Sequence, residues 1–330
     1  MPDAEEILVL GHRGLLGQAL VAACGGRCQI IEGGREVFDL ARQPLASAPA
    51  GGLAVGQAQA QASLGCLRAR LPVMGQEASQ AHSRLDVLRL ALKQGRPRLV
   101  FNCLGYTDVD RAEREPQVAE AVNGRGAQAV ARACAEAGAH LVHLSTDFVF
   151  DGQEKRPYRE DDPPAPLSAY GHGKLLGERL VAAELPGALI ARSAWLFGPG
   201  RASFVDKVIA QGRTGRPFPV VSDQVGSPTY TADLARALLD LGGRWVGGVL
   251  HVVNQGQASR HELAQKALEL AGLDPGLARP AHTDLAGGGA RRPAYSVLDA
   301  GRAARVLGAP LPEWPEALAR YIAGRQEEGA

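Results

Sequence analysis

The chain has almost no charge imbalance: 36 Lys and Arg against 35 Asp and Glu leave a formal net charge of +1. A polyanion-binding surface of the nucleic-acid type is therefore not indicated. Matched metal-ligand pairs are missing too. The five cysteines, Cys24, Cys28, Cys66, Cys103 and Cys134, are odd in number and form no pair of CxxC motifs, and the eight histidines contain no HxxxH. A disulfide framework and a zinc enzyme are both disfavoured, no metal is expected, and the thiols read as reduced in a cytoplasmic protein. The apolar run near the start is broken by His12, Arg13 and glycines and is too short to span a bilayer. The acidic opening, with Asp3, Glu5 and Glu6, does not read as a secretory leader, so no membrane association is expected.

What is present is an ordinary globular composition of 330 residues, 45% hydrophobic and 22% charged. That length supports one large α/β unit or two coupled domains. Residues 7–10 form a continuous apolar run followed at once by glycines, the pattern of a buried parallel strand. Helix-like and strand-like segments then alternate: 15–24, 29–32, 84–94, 99–103, 116–137, 140–144, 174–183 and 188–191. This order predicts a Rossmann-type doubly wound parallel sheet with a smaller C-terminal substrate-binding region. The expected division is an NAD(P)-binding domain over 1–191, to which residues from about 228 to 248 return, and a mainly substrate-binding region over 192–330. Residues from about 41 to 82 lack a steady period and read as an insertion.

Gly11-His12-Arg13-Gly14-Leu15-Leu16-Gly17 is a GxxGxxG turn between the first strand and the first helix. Glycine permits the tight turn and lets backbone N–H groups approach a pyrophosphate, and the helix N-terminus adds a favourable dipole. After the second strand, Arg35 would favour a 2′-phosphate on the adenosine ribose, whereas Glu32 would favour a free hydroxyl. The signals conflict; NADPH is expected, with NADH left open. Asp39 and Tyr106 are further candidates for the cofactor side of the cleft.

Ser145-Thr146-Asp147 follows a strand, where ligands of open parallel sheets bind. Tyr170 and Lys174 are spaced i, i+4, which puts both on one face if Tyr170 opens a helix. That set suits ketone reduction. Hydride addition leaves an alkoxide that must take a proton, and a tyrosine can supply it. A neighbouring ammonium stabilises the phenolate and can also hold the nicotinamide ribose. Thr146 would hydrogen-bond the substrate oxygen.

At this point the residues resemble a known family, the dTDP-4-dehydrorhamnose reductases. Residues Ser145-Thr146-Asp147-Phe148-Val149-Phe150-Asp151-Gly152 resemble the family's STDYVFDG, and Pro157-Tyr158-Arg159-Glu160-Asp161-Asp162, then Pro166-Leu167 through Tyr170-Gly171 and Lys174, resemble PYxExD…PLxxYGxxK. Asn102, Tyr106-Thr107, Val109-Asp110 and Ala112-Glu113 resemble NxxxYTxVDxAE. Arg192 to Gly198, Asp223 to Thr229, and Arg292-Pro293 with Ser296, Leu298 and Asp299 resemble RTSWVYG, DQxGxPT and RPxxSxLD. The matches run in order over most of the chain outside 41–82.

The resemblance implies NAD(P)H-dependent reduction of the C4 ketone of dTDP-4-dehydro-L-rhamnose. It implies Tyr170 as proton donor, Lys174 as its modulator and Thr146 as carbonyl ligand. On the substrate side it points to Asp147, Trp195 and Gln224, with Arg292 as a contact to the diphosphate. A homodimer is an open expectation. Phe148 and Phe197 stand where the family has tyrosine, and Ser203-Phe204 where it often has Asn-Phe. These departures bear on the sugar and the base more than on the chemistry. Two rival readings remain. One is a reductase of another nucleotide-linked 4-keto-deoxysugar. The other is a non-catalytic subunit resembling the β subunit of methionine adenosyltransferase, which would show no turnover and would co-purify with a synthetase.

Overall fold

The computed structural model describes residues 6–26, 28–30, 84–283 and 289–328; the expected insertion at 41–82 and the candidates Glu32, Arg35 and Asp39 lie outside them. The first half alternates strand and helix: β1 (Ile7–Leu10), α1 (Leu15–Ala23), β2 (Gln29–Ile30), α2 (Arg84–Gly95), β3 (Leu99–Asn102), α3 (Val109–Arg114), α4 (Pro116–Glu120), α5 (Gly126–Ala137), β4 (His140–Thr146), α6 (Ala169–Glu184) and β5 (Leu189–Ser193). The second half is made of shorter pieces: β6 (Leu196–Phe197), α7 (Phe204–Gly212), β7 (Phe218–Val221), β8 (Val225–Gly226), β9 (Thr229–Tyr230), α8 (Thr231–Gly243), β10 (Gly248–His251), β11 (Ala258–Ser259), α9 (Arg260–Leu270), β12 (Ala278–Ala281), α10 (Gly301–Leu307) and α11 (Trp314–Glu328).

Six strands form one parallel sheet in the order β10-β5-β4-β3-β1-β2. The expected Rossmann-type fold is the one observed. Its apolar run at 7–10 is explained by helices on both faces. Ile7 and Val9 pack with Leu16 and Leu20 of α1 and Leu234 and Leu238 of α8. Leu8 and Leu10 point the other way, towards Leu88 and Leu92 of α2 and Val130 of α5. Side chains alternate across a strand, so only a sheet covered twice needs every position apolar. α8 and β10 both belong to this unit, although they follow the first C-terminal pieces. α7, α9 and α11 enclose a separate core of Val205, Ile209, Leu263, Leu268, Leu318 and Ile322.

Between α4 and α5 the chain widens into a π-helical turn, Ala121–Arg125, which the helical pattern does not announce. Its cause is Asn123, whose side chain accepts from the Tyr106 N–H at 2.8 Å and donates to the Tyr106 carbonyl at 3.1 Å. α6 lies directly against this turn through glycines. A Cβ on Gly177 would stand 2.2 Å from the Asn123 carbonyl oxygen. The close approach brings the helix of Tyr170 and Lys174 down onto the sheet.

Gly177→Ala is expected to cost about 1–3 kcal/mol through overpacking. Gly187→Ala, whose Cβ would meet nothing within 4 Å, should stay within about 0.5 kcal/mol of the parent. Urea unfolding midpoints compare the two, and equal midpoints would contradict the close-packing account.

Candidate active site

The sheet's strand order reverses at β1 and β3, and the parallel rule places ligands at the carboxyl ends there. Gly11 stands at that crevice with φ +78°, and a Cβ on it would lie 2.9 Å from the Cys103 carbonyl at the end of β3. The Gly14 N–H donates to the Gly11 carbonyl at 2.9 Å, closing the turn. Gly14 caps α1 without a side-chain hydrogen bond to the first-turn amides. A Cβ on Gly17 would fall 2.2 Å from the Gly11 oxygen, so the loop folds back on its own helix. Leu16 and Gly17 are buried, Arg13 is exposed, and His12 and Leu15 lie between. The Leu16 side chain belongs to the sheet core, which leaves only its backbone facing the loop.

Across the crevice, β4 runs two residues further than its apolar pattern suggests and ends on Thr146. The Thr146 hydroxyl donates to Asp147 Oδ1 at 2.9 Å and accepts from the Phe148 N–H at 3.2 Å. Asp147 is buried, and Ser296 donates to its Oδ2 at 2.6 Å. Burial pushes the Asp147 carboxyl up, against the two hydroxyls that favour its charged form.

Tyr170 sits in the first turn of α6. Ser168 caps that turn by accepting from the Gly171 N–H at 3.1 Å, and Glu113 accepts from the Ala169 N–H at 2.7 Å. The Phe148 ring meets Tyr170 edge to face at 5.6 Å. Burial first, and then the Asp147 charge, push the Tyr170 phenol up to about 12, while the Thr146 hydroxyl beside it pulls the other way. Lys174 is buried one turn on, and its Nζ donates to the Leu144 carbonyl at 2.5 Å. Desolvation lowers its pKa to about 8, with the Glu178 charge opposing. Cys103, beside this cation, is nevertheless pushed up to about 12 by burial. The thiol therefore stays protonated.

Below these groups lies an ion pair that the residue pattern did not single out. Arg192 at the end of β5 donates through Nε to Glu178 Oε1 at 2.9 Å and through Nη2 to Oε2 at 2.7 Å. Ser145 donates to the same Oε1 at 2.5 Å. Both charged side chains are nearly inaccessible, at 4% and 5% exposure, so the bidentate geometry is what makes their burial tolerable. The i, i+4 position of Glu178 after Lys174 was the available signal, since it shares the lysine's face.

The other candidates are spread more widely. The Tyr106 hydroxyl donates to Glu115 at 2.8 Å. Trp195, with φ +48°, carries the Arg260 guanidinium 3.5 Å from its ring centre. Gln224 is buried and donates to Thr283 Oγ1 at 3.0 Å. Arg292 was expected to face a phosphate. In this structure its Nη2 donates to both Asp110 oxygens, at 2.8 and 3.0 Å, and its Nη1 to the Ala290 carbonyl at 3.2 Å.

Residues 5–326 match the family described as the RmlD substrate binding domain. A dTDP-4-dehydrorhamnose reductase of Streptomyces griseus is 44% identical over 237 residues, 70% of this chain and 78% of the relative. A Streptomyces antibioticus protein named as a probable dTDP-4,6-dihydroxy-2-methyloxan-3-one 4-ketoreductase is 42% identical over 248 residues, 73% of this chain and 84% of the relative. Among solved structures, dTDP-4-dehydrorhamnose reductase of Bacillus anthracis in complex with NADP superposes with a TM-score of 0.78 at 28% identity, over 96% of this chain and 98% of that one.

Glu178→Ala leaves Arg192 charged, buried and unpaired, and should cost about 3–5 kcal/mol. Replacing both partners at once, as Glu178→Leu with Arg192→Met, should cost less than the single change. Chemical denaturation of the two variants measures this, and a double variant no more stable than Glu178→Ala would refute the pairing.

Proposed function

The chain belongs to the RmlD substrate-binding-domain family, and from that premise we propose that it reduces the C4 ketone of dTDP-4-dehydro-L-rhamnose to dTDP-L-rhamnose with NADPH, as a cytoplasmic enzyme. One observation carries the reading. Thr146 and Tyr170 meet at the carboxyl edge of the sheet, with Lys174 one helical turn further on and bonded to the Leu144 carbonyl, across the crevice from a glycine turn whose helix has no side-chain cap. The turn fits a dinucleotide: the uncapped first-turn amides of α1 are free to take a pyrophosphate, and no side chain at Gly11 or Gly14 obstructs the approach.

Bound reduced nicotinamide supplies the hydride. The protein's part is to hold the ketone and to deliver a proton. Tyr170 keeps its proton at neutral pH because its phenol is pushed up to about 12, so it enters the reaction loaded. Giving that proton to the C4 oxygen creates a phenolate, and the nearby Lys174 cation lowers the cost of that charge. The Thr146 hydroxyl is parked on Asp147. Rotating it towards the ketone oxygen leaves Asp147 still held by Ser296. Asp147 thus orients the threonine without having to leave its place.

A second reading is favoured by the Streptomyces antibioticus relative, named as a 4-ketoreductase of a different dTDP-sugar at similar identity and greater coverage. It keeps the same residues in the same roles and changes only the sugar.

Tyr170→Phe should lower kcat for keto-sugar reduction by about 10²–10⁴-fold, the range for loss of a general acid. NADPH affinity should change little. NADPH oxidation followed by absorbance, with fluorescence titration for binding, checks both; a variant of unchanged kcat would exclude Tyr170 as the donor. The pH profile gives an independent check. Lys174 is a cation below about 8 and neutral above it, whereas Tyr170 stays protonated to about 12. The reductive rate should therefore be highest at lower pH and fall as pH rises through about 8. A rate still level at pH 10 would remove Lys174's charge from the mechanism.

A further inference from the structure

Arg260 is the first residue of α9, and its position is well fixed. Ser259 and Glu262 form a reciprocal cap around it, with the Glu262 N–H donating to Ser259 Oγ at 3.0 Å and the Ser259 N–H to Glu262 Oε2 at 2.7 Å. Its own N–H donates to the Gln224 carbonyl at 3.2 Å. From there the guanidinium lies over the Trp195 ring at 3.5 Å, with the Phe204 ring at 5.1 Å. Trp195 comes two residues after the end of β5, the strand paired with the Thr146 end of β4. The cation thus faces the catalytic side of the molecule.

What distinguishes this arginine is what it lacks. Among the described residues no carboxylate forms an ion pair with it, and no carbonyl or hydroxyl accepts from its guanidinium. Burial is the main reason its charge is disfavoured, lowering its pKa to about 10; Asp147 attracts it and Arg292 repels it. Asp147 forms no ion pair with it; the Asp147 oxygens accept from Thr146 and Ser296. A guanidinium stacked on an indole holds its plane while its N–H donors point out from the edge. Arg260 is half-buried, so donors that no protein group occupies stay within reach of a ligand entering from solvent. Arg292, the other arginine near this charge, already donates through Nη2 to Asp110 and through Nη1 to the Ala290 carbonyl.

We propose that Arg260, held flat on Trp195, is the diphosphate-binding residue of this site and forks two N–H donors onto the anion of a nucleoside-diphosphate-linked sugar. The inference rests on the reading of the site as a nucleotide-sugar reductase and names the residue that would select for the charged half of that substrate. Planar, bidentate recognition of phosphate is what the guanidinium does and an ammonium does not.

The test is calorimetric titration of dTDP into the NADPH-loaded protein, comparing wild type, Arg260→Gln, Arg260→Lys and Arg292→Gln. Arg260→Gln should weaken dTDP binding about ten- to hundredfold, the equivalent of losing a charge-assisted hydrogen bond or two. KM for the keto-sugar should rise in parallel. Arg260→Lys should fall between, because it keeps the charge and loses the fork. NADPH affinity should be unchanged in all four proteins, which separates loss of the contact from loss of the fold. Equal dTDP affinity in wild type and Arg260→Gln overturns the inference, and so does a loss confined to Arg292→Gln. Failure of the underlying reading has a different signature. If wild type prefers UDP over dTDP and Arg260→Gln loses UDP to the same degree, the nucleoside was wrong and the residue was right. If wild type binds neither diphosphate, the inference falls.

Discussion

The constraint on which the site depends is the buried carboxylate of Glu178. It receives Arg192 from β5 and Ser145 from β4 while standing on α6, one turn beyond Lys174. Three elements are thereby fixed to one another at a single group. Thr146 follows Ser145 directly, and Tyr170 and Lys174 share the helix of Glu178. The distance between Tyr170 and Thr146 is thus set from below, by the pair of Glu178 with Arg192. The same geometry makes the burial of two charges tolerable, because a bidentate pair with a third donor leaves little of the carboxylate unsatisfied.

Above this floor the site relies on opposed electrostatic demands. In the proposed reduction Tyr170 must hold a proton and Lys174 a charge; Lys174 is buried and Tyr170 half-buried. Desolvation serves the first and works against the second. The Leu144 carbonyl and the Glu178 charge support the ammonium that desolvation would otherwise strip. A phenol pushed up to about 12 and an ammonium pulled down to about 8 move apart in proton affinity, so at rest the proton stays on Tyr170.

Local pattern revealed a good part of this. The continuous apolar run at 7–10 is legible as a doubly covered strand because alternation is lost only when both faces are buried. The glycine turn is legible because its spacing follows from the close approach of Gly11 and Gly17. Tyr170 and Lys174 share a face by helical period alone. What was not legible depends on distant partners. Nothing near Arg292 signals that Asp110, 182 positions earlier, will accept from its Nη2. Arg260 looks like an ordinary first-turn residue until the fold brings Trp195 beneath it. The π-helical turn at 121–125 arises from Asn123 reaching Tyr106, a tertiary bond that leaves the helical period of the segment intact.

The clasp between Arg292 and Asp110, together with Ser296 on Asp147, also bears on how the molecule comes into being. Each joins a late part of the chain to an early one, across 182 and 149 positions. During synthesis, at roughly 5–20 residues per second, the N-terminal part of a chain is available to fold first. Here the glycine turn, Thr146, Tyr170 and Lys174 have all emerged before the sheet receives its last strand at Gly248–His251, and well before the segment that carries Arg292 and Ser296. Asp147 therefore exists for a time without its Ser296 partner. Its surroundings are completed only by residues made late in synthesis, so the buried carboxylate is the last part of this neighbourhood to be fixed.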